Sequence, residues 1–106
     1  MPKYLFEAQY TAAGAKGLAH DGGTSRRSVV AKMAEGLGGK LETFYYAFGG
    51  VDVFGIVDLP DNASAAAMAL AISQGGGATG RTVVLITPEE MDNASKKAVA
   101  YRPPGH

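Results

Sequence analysis

The sequence predicts an α+β fold, because segments with the two-residue period of strands alternate with segments with the period of helices. Side chains alternate between polar and apolar sets in residues 3–11, and apolar residues recur at helical spacing in residues 24–38. A Gly49-Gly50 pair separates two runs of residues that favour strands. The 106 residues contain no linker or internal repeat, so we expect one domain, 1–106.

The first strand is predicted over residues 3–11, and the segment after it is rich in glycine. In the strand one face carries Tyr4, Phe6, Ala8 and Tyr10. The glycines of "AAGAKGLAHDGG" predict a loop with a short helical turn. Thr24 is a suitable N-cap for a helix that ends at Gly38. The apolar face of this helix consists of Val30, Met33, Ala34 and Leu37.

Residues 40–48 and 51–59 are predicted to form a β-hairpin around a two-residue turn at Gly49-Gly50, since glycine tolerates the positive φ of such turns. This register pairs Phe44 with Gly55 and Tyr45 with Phe54. It sorts the hairpin into two faces. The face expected to lie under the helices carries Glu42, Phe44, Tyr46, Phe48, Val51, Val53 and Val57, and the opposite face carries Leu41, Thr43, Tyr45, Asp52, Phe54 and Ile56.

The second half of the chain predicts a helix, a strand and a last helix. Pro60 ends the hairpin, Asp61 caps an alanine-rich helix, and Gly75 to Gly77 end it. "RTVVLIT" reads as a buried strand. Thr87-Pro88-Glu89-Glu90 then forms a capping box for a helix to about residue 98, followed by a tail at 101–106.

Residues 75–82, "GGGATGRT", resemble a phosphate-binding loop with arginine in place of lysine. Such a loop must leave a strand and enter a helix, so that backbone amides converge on the phosphate. Here the predicted order is helix, loop, strand. We therefore interpret this segment as a connection without a phosphate site.

The predicted order β-α-β-β-α-β-α is that of a ferredoxin-like βαββαβ sandwich with an extra C-terminal helix. Both main helices then cover one face of an antiparallel sheet. The other face mixes Phe54, Ile56 and Leu41 with polar side chains. Because an uncovered apolar sheet face is adhesive, we expect two copies to stack through their open faces as a homodimer.

Several long stretches resemble the GYD-domain family of small bacterial and archaeal proteins. They are "MPKYLFEAQYTAAGAKGL", "GGTSRRSVVAKMAEGLGGKLETFYYAFG", "VDLPDNASAAAMALA" and "TPEEMDNASKKAVAYRPPG". The Gly-Tyr-Asp motif of the family is matched by Gly50, Val51 and Asp52, with valine at the tyrosine position. The resemblance implies a ferredoxin-like fold of the dimeric α+β barrel type, and the function of the family is not established.

Charge and composition narrow the classes of function. Ten basic residues balance ten acidic ones, whereas nucleic-acid and anionic-membrane binding proteins carry a basic excess. We therefore expect neither as a partner. Cysteine is absent and only two histidines are present, so we expect no metal site and no cofactor. The N-terminus has no signal-peptide pattern and no apolar run reaches membrane-spanning length, which predicts a cytoplasmic protein.

Asp52 is the first candidate functional residue, as a general base held between the apolar neighbours Phe54 and Ala47. The alternative is that its carboxylate accepts hydrogen bonds from backbone amides near the turn. Glu7 and Gln9 lie two residues apart on a strand expected to be central, where polar groups are costly unless paired. They form either a polar cluster in a ligand cavity, with the hydroxyl of Tyr45 as a partner, or a network across the dimer interface.

Two further candidates lie in or after the glycine-rich segment. His20 is a candidate acid or base, since histidine titrates closest to neutral pH, or else a solvated loop residue. Arg26 and Arg27 follow a glycine pair at a helix N-terminus, so they are candidates for anion binding. The alternative is that both arginines are solvated or paired with acids.

These residues lead to three hypotheses of function. The first is a homodimer that binds a small organic molecule in a cavity on the open sheet face, with contacts from Gln9, Thr43, Phe54, Arg26 and Arg27. The second is a non-catalytic sensor or assembly module whose open face only makes dimer contacts. The third is a cofactor-free acid/base or oxygenase-type enzyme that uses Asp52, Glu7, Tyr45 and His20.

Overall fold

A computed structural model describes all residues from 1 to 106 and contains four antiparallel strands and four helices. The strands are β1 (Lys3–Tyr10), β2 (Lys40–Tyr46), β3 (Val53–Asp58) and β4 (Ala78–Leu85). The helices are α1 (Ala12–Asp21), α2 (Gly23–Gly36), α3 (Asn62–Gln74) and α4 (Pro88–Ser95). The sheet order is β2-β3-β1-β4, so β1 is central. The predicted ferredoxin-like α+β fold is confirmed.

The core lies between one face of the sheet and the helices α2 and α3. Its buried members are Tyr4, Ala34, Val57, Leu59, Ala65 and Met68, and the predicted apolar face of α2 packs against them. The hydroxyl of Tyr4 donates to Asn62 at 2.7 Å, so even its polar atom is bonded inside the core. Only nine of the 106 residues are buried, which leaves much of the sheet and helix surface uncovered.

The prediction of a loop after β1 is wrong, because α1 is a full helix of ten residues. The side chain of Thr11 caps it by accepting from the backbone N–H of Gly14 at 3.1 Å. Gly22 ends α1 and begins α2, and its φ of 87° is one that glycine adopts readily. Thr24 therefore lies inside α2 and does not cap it.

The turn at Gly49-Gly50 also differs from the prediction. The hairpin closes where the N–H of Ala47 donates to the carbonyl of Asp52 at 2.8 Å, which leaves a loop of four residues, 48–51. The N–H of Asp52 donates to the carbonyl of Ala8. The residue at the end of the loop, Asp52, is thus hydrogen-bonded to β1 as well as to Ala47. A two-residue turn between β2 and β3 is therefore not formed.

The predicted register of the hairpin is correct from Thr43 to Tyr46 and fails at Leu41. A bulge at Glu42 makes Leu41 pair with Val57, so Leu41 packs against the core and Glu42 reaches Lys3 on the other face. The bulge buries the apolar side chain and frees the charged one, which a regular ladder would reverse. Tyr46, expected in the core, remains 39% exposed.

For α3 and α4 the predicted N-caps are correct, whereas the predicted bounds of β4 and α4 differ from those in the structure. Asp61 caps α3, and Thr87 and Glu90 form the capping box of α4. The segment from residue 75 follows a helix and enters a strand, as expected, but β4 begins at Ala78, three residues before the predicted start at Arg81. Val83 and Val84 are exposed, so the prediction of a buried strand is wrong. The last helix ends at Ser95, three residues earlier than predicted.

Residues 86–106, which we call the C-terminal arm, are all exposed. The radius of gyration is 16.8 Å, whereas a compact chain of this length is expected to have about 13 Å. The arm and the uncovered sheet face together explain why so few residues are buried.

The close approach of α1 to the start of β4 predicts opposite effects for two glycines of one helix. A Cβ on Gly14 would lie 1.7 Å from the carbonyl oxygen of Gly77, whereas a Cβ on Gly17 would meet nothing within 4 Å. Gly14→Ala should therefore lower the free energy of unfolding by roughly 1–3 kcal/mol. Gly17→Ala should raise it by up to about 1 kcal/mol. Urea denaturation measures both, and equal stabilisation by the two variants would contradict this packing.

Candidate functional site

The first region that groups candidate residues is the open sheet face, the face that no helix covers. The strand registers place Leu5, Glu7, Gln9, Thr43, Tyr45, Phe54, Ile56, Arg81 and Val83 on it. A row of side chains runs across all four strands as Thr43, Ile56, Leu5 and Val83, and the next row as Tyr45, Phe54, Glu7 and Arg81. The structure thus brings Glu7, Gln9, Thr43, Tyr45 and Phe54 to one surface.

Glu7 is paired on this face with a residue that sequence reasoning missed. The side chain of Glu7 is only 13% exposed, and its carboxylate accepts a hydrogen bond from Nε of Arg81 at 2.6 Å. Arg81 is the first residue of the predicted strand, but no register between β1 and β4 was predicted, so Arg81 was not placed opposite Glu7. The available signal was an acid and a base at matching positions of two neighbouring strands. Tyr45, the expected partner of Glu7, is 70% exposed and makes no side-chain hydrogen bond.

At the other end of the open sheet face, Lys3 on β1 forms ion pairs with residues of β2 and β3. Its ammonium donates to Asp58 at 2.8 Å and to Glu42 at 2.9 Å. The hydrogen bond to Asp58, followed by that to Glu42, raises the pKa of Lys3. Asp58 is buried, so this cation compensates a carboxylate that would otherwise lie unpaired beside the core.

Asp52 and the neighbouring loop residues bind the end of β1. The carboxylate of Asp52 accepts from the backbone N–H of Tyr10 at 2.9 Å, and the side-chain amide of Gln9 donates to the carbonyl of Gly50. Val51 lies between these contacts, half-buried, beside a cavity that Gln9 and Arg81 also line. The contacts of Asp52 are those of the structural alternative, a carboxylate bound to backbone amides.

The second region is a cleft of about 300 Å³ between α1, α2, α3 and the helix-covered side of the sheet. Its walls are largely apolar, with Leu18, Met33 and Ile72 among them. Tyr10 and Arg26 also line the cleft, and the same two residues line a second cavity of about 90 Å³ above the core. We call this region the Tyr10–Arg26 cleft.

Arg26 is the cation of this cleft, and no carboxylate lies within ion-pair distance of it. Asp21 also lines the cleft, but its carboxylate contacts the ring of His20 at 3.1 Å. Arg26 is half-buried and lines a largely apolar cleft, so its positive charge lies there without an ion-pair partner.

Tyr10 is the second polar group of the cleft. Burial, followed by the neighbouring hydroxyl of Tyr46, raises the pKa of the Tyr10 hydroxyl to about 12, while Arg26 acts in the opposite direction. Tyr46 donates to the carbonyl of Gly23 at 3.0 Å. At neutral pH the cleft therefore presents a neutral phenol next to a permanent cation.

The candidates His20 and Arg27 lie outside the Tyr10–Arg26 cleft. His20 is exposed at the end of α1, and its ring contacts only Asp21. Arg27 is exposed and lines a separate groove between α2 and β2. Arg26 and Arg27 therefore do not converge on a single site.

No group of three His, Asp or Glu side chains is arranged to hold a metal ion. None of the four helices has the length and apolar character needed to cross a membrane.

The fold and these sites define a small ferredoxin-like α+β protein with one open sheet face and a cleft under its helices. The family model of the GYD domain matches residues 4–95 of the 106, so the chain belongs to the GYD-domain family. The matched range includes β1 from Tyr4 onward, the whole of β2, β3 and β4, and the motif residues Gly50 to Asp52. No curated protein and no solved structure matches the chain significantly.

The environment of Tyr10 predicts a late-titrating tyrosine. Tyr10→Phe should remove the component of tyrosinate absorbance that appears near pH 12, whereas Tyr101→Phe, on the exposed arm, should leave that component in place. An unfolded tyrosine ionises near pH 10, so the unfolded state releases this proton first. The free energy of unfolding should therefore fall between about pH 10 and 12, and less steeply in Tyr10→Phe. An unchanged late component in Tyr10→Phe would contradict the burial of this hydroxyl.

Proposed function

We propose that this GYD-domain protein is a homodimeric binding protein for a small organic carboxylate, which it holds in the Tyr10–Arg26 cleft. The observation that carries the ligand class is Arg26, a half-buried residue that lines a largely apolar cleft and has no ion-pair partner. A carboxylate would neutralise this charge, and the apolar body of the ligand would lie against Leu18, Met33 and Ile72.

The size and lining of the cleft support this assignment. Its volume of about 300 Å³ is at the small end of the range for ligand pockets. The neutral hydroxyl of Tyr10 adds a donor beside the cation, so one carboxylate could accept hydrogen bonds from both residues.

The cleft is a better site than the open sheet face, where the sequence alone placed the ligand. On the open sheet face Glu7 and Arg81 already neutralise each other, so neither charge is left for a ligand. Binding is also favoured over catalysis, because three of the four candidate catalytic groups, those of Glu7, Asp52 and His20, already have partners. Asp52 accepts from a backbone amide and His20 contacts Asp21.

The exposed area supports dimerisation through the open sheet face. The chain exposes 7236 Å², whereas a folded monomer of 10.9 kDa is expected to expose about 5,600 Å². A standard interface buries about 800 Å² on each partner. The apolar row of Ile56, Leu5 and Val83 lies at the centre of the uncovered surface. Stacking two such sheets would remove this row from water.

The dimer is tested by placing a charge on the open sheet face. Val83→Lys should weaken dimerisation by at least roughly tenfold, because a lysine in the stacked interface must be desolvated. The matched control is Leu70→Lys, an exposed leucine of α3 in the helix layer, which should leave the dimer intact. Sedimentation equilibrium at micromolar concentration measures both. A monomeric unmodified chain, or equal effects of the two variants, would overturn the stacked-sheet dimer.

The ligand class is tested with benzoate and hexanoate against their neutral amides. Both carboxylates should perturb the backbone amide resonances around Tyr10 and Arg26, and the neutral amides should not. Arg26→Gln should weaken binding about tenfold or more, since it removes a charge-assisted hydrogen bond. Arg27→Gln is the matched control, because Arg27 faces a different groove. Equal binding of acids and amides, or no binding of either acid, would contradict the proposal.

A further inference from the structure

The C-terminal arm has no surface of its own chain to pack on, although it contains a regular helix. Every residue from 86 to 106 is exposed. Four of the exposed large apolar side chains of the protein belong to it, namely Ile86, Met91, Val99 and Tyr101. The arm continues from the end of β4, where Val83 and Val84 are exposed on opposite faces of the strand. An exposed apolar strip therefore runs from the open sheet face into the arm.

The length of α4 shows that the arm needs a packing partner. The helix has eight residues and a complete capping box of Thr87 and Glu90. Isolated helices shorter than about 12–15 residues are marginal in water, and a cap contributes only about 1 kcal/mol. The stability of α4 must therefore come from a surface that covers it.

A second exposed apolar patch lies at the opposite edge of the sheet, and we call it the β2-edge patch. It consists of Val29 on α2, Tyr45 and Tyr46 on β2, and Phe48 in the hairpin loop. A groove of about 450 Å³ runs along this edge between α2 and β2. Arg27 lines the groove and has no acidic partner in its own chain. The first turns of α4 carry the acids Glu89 and Asp92, which also have no basic partner.

Symmetry brings these two surfaces together. A dimer of stacked sheets has a two-fold axis between the sheets, and its two patches contact each other reciprocally. With the axis along the strands, the β4 edge of one copy lies beside the β2 edge of the other, because β2 and β4 are the two edges of the sheet.

We propose that the C-terminal arm of each copy packs on the β2-edge patch of a second copy, so that two arms are exchanged across the dimer. This inference rests on the stacked-sheet dimer proposed above. It assigns Met91 and Tyr101 to contacts with the aromatic side chains of the patch, and it pairs the acids of α4 with Arg27. The exchanged arm also covers edge strand β2, whose free backbone groups are otherwise a site for aggregation.

A chain without the C-terminal arm tests arm exchange separately from the stacked-sheet dimer. A chain ending at Ile86 should keep the strand and helix signals of the folded domain in circular dichroism and lose at least roughly tenfold in dimer affinity by sedimentation equilibrium. A truncated chain that dimerises as tightly as the full chain would overturn arm exchange and leave the stacked-sheet dimer standing. A full chain that is monomeric would overturn both.

Cross-linking identifies the surface that receives the arm. The chain has no cysteine, so introduced pairs report without background. Met91→Cys combined with Tyr45→Cys should form a disulfide-linked dimer on mild oxidation. Met91→Cys combined with Leu70→Cys should not do so above the level of either single variant, because Leu70 lies on α3, away from the patch. Equal cross-linking by the two pairs would overturn the assignment to the β2 edge.

Discussion

The structure depends on a sheet that its own chain covers on one side only. Tyr4 and Val57 pack under Met68 and Ala34, and these contacts between β1, β3 and the two long helices make up nearly the whole core. The polar groups of the uncovered side are therefore satisfied within the sheet plane. Glu7 bonds Arg81 on the next strand, and Lys3 joins Asp58 to Glu42. Because these ion pairs form between neighbouring strands of the same sheet, the apolar row of Ile56, Leu5 and Val83 between them is left for contact with a partner.

The parts of the fold that could be predicted are those in which a local pattern and tertiary packing agree. The spacing of Val30 and Leu37 identified the buried side of α2. A turn centred on Gly49-Gly50 predicted the register that pairs Phe44 with Gly55. α1 was missed because two glycines lower its intrinsic helix propensity, whereas its stability comes from Thr11 and from close contact with the start of β4. The bulge at Glu42 has no sequence signature and follows from the burial of Leu41 and the charge of Lys3.

The sequence was enough to identify individual residues of the candidate site, but not which of them lie next to one another. Asp52 was identified as an acid between apolar neighbours close to a turn, and in the structure its carboxylate accepts a hydrogen bond from the N–H of Tyr10 at the end of β1. Tyr10 and Arg26 were each noticed separately, as a helix-facing aromatic residue and as a possible anion ligand. Their meeting in one cleft depends on how α1 folds back between them, which the misread glycine-rich segment concealed.

The central place of β1 has a consequence for how the chain folds. β1 is the first strand in the sequence, yet its two neighbours begin at Val53 and Ala78. Lys3 pairs with Asp58 on one side and with Leu85 on the other, so most sheet contacts join residues far apart in sequence. Such non-local pairing slows folding, because long loops must close before strand pairing can stabilise them. During synthesis both edges of β1 therefore stay unpaired until β3 has emerged, and the edge that faces β4 stays unpaired until the chain reaches Leu85.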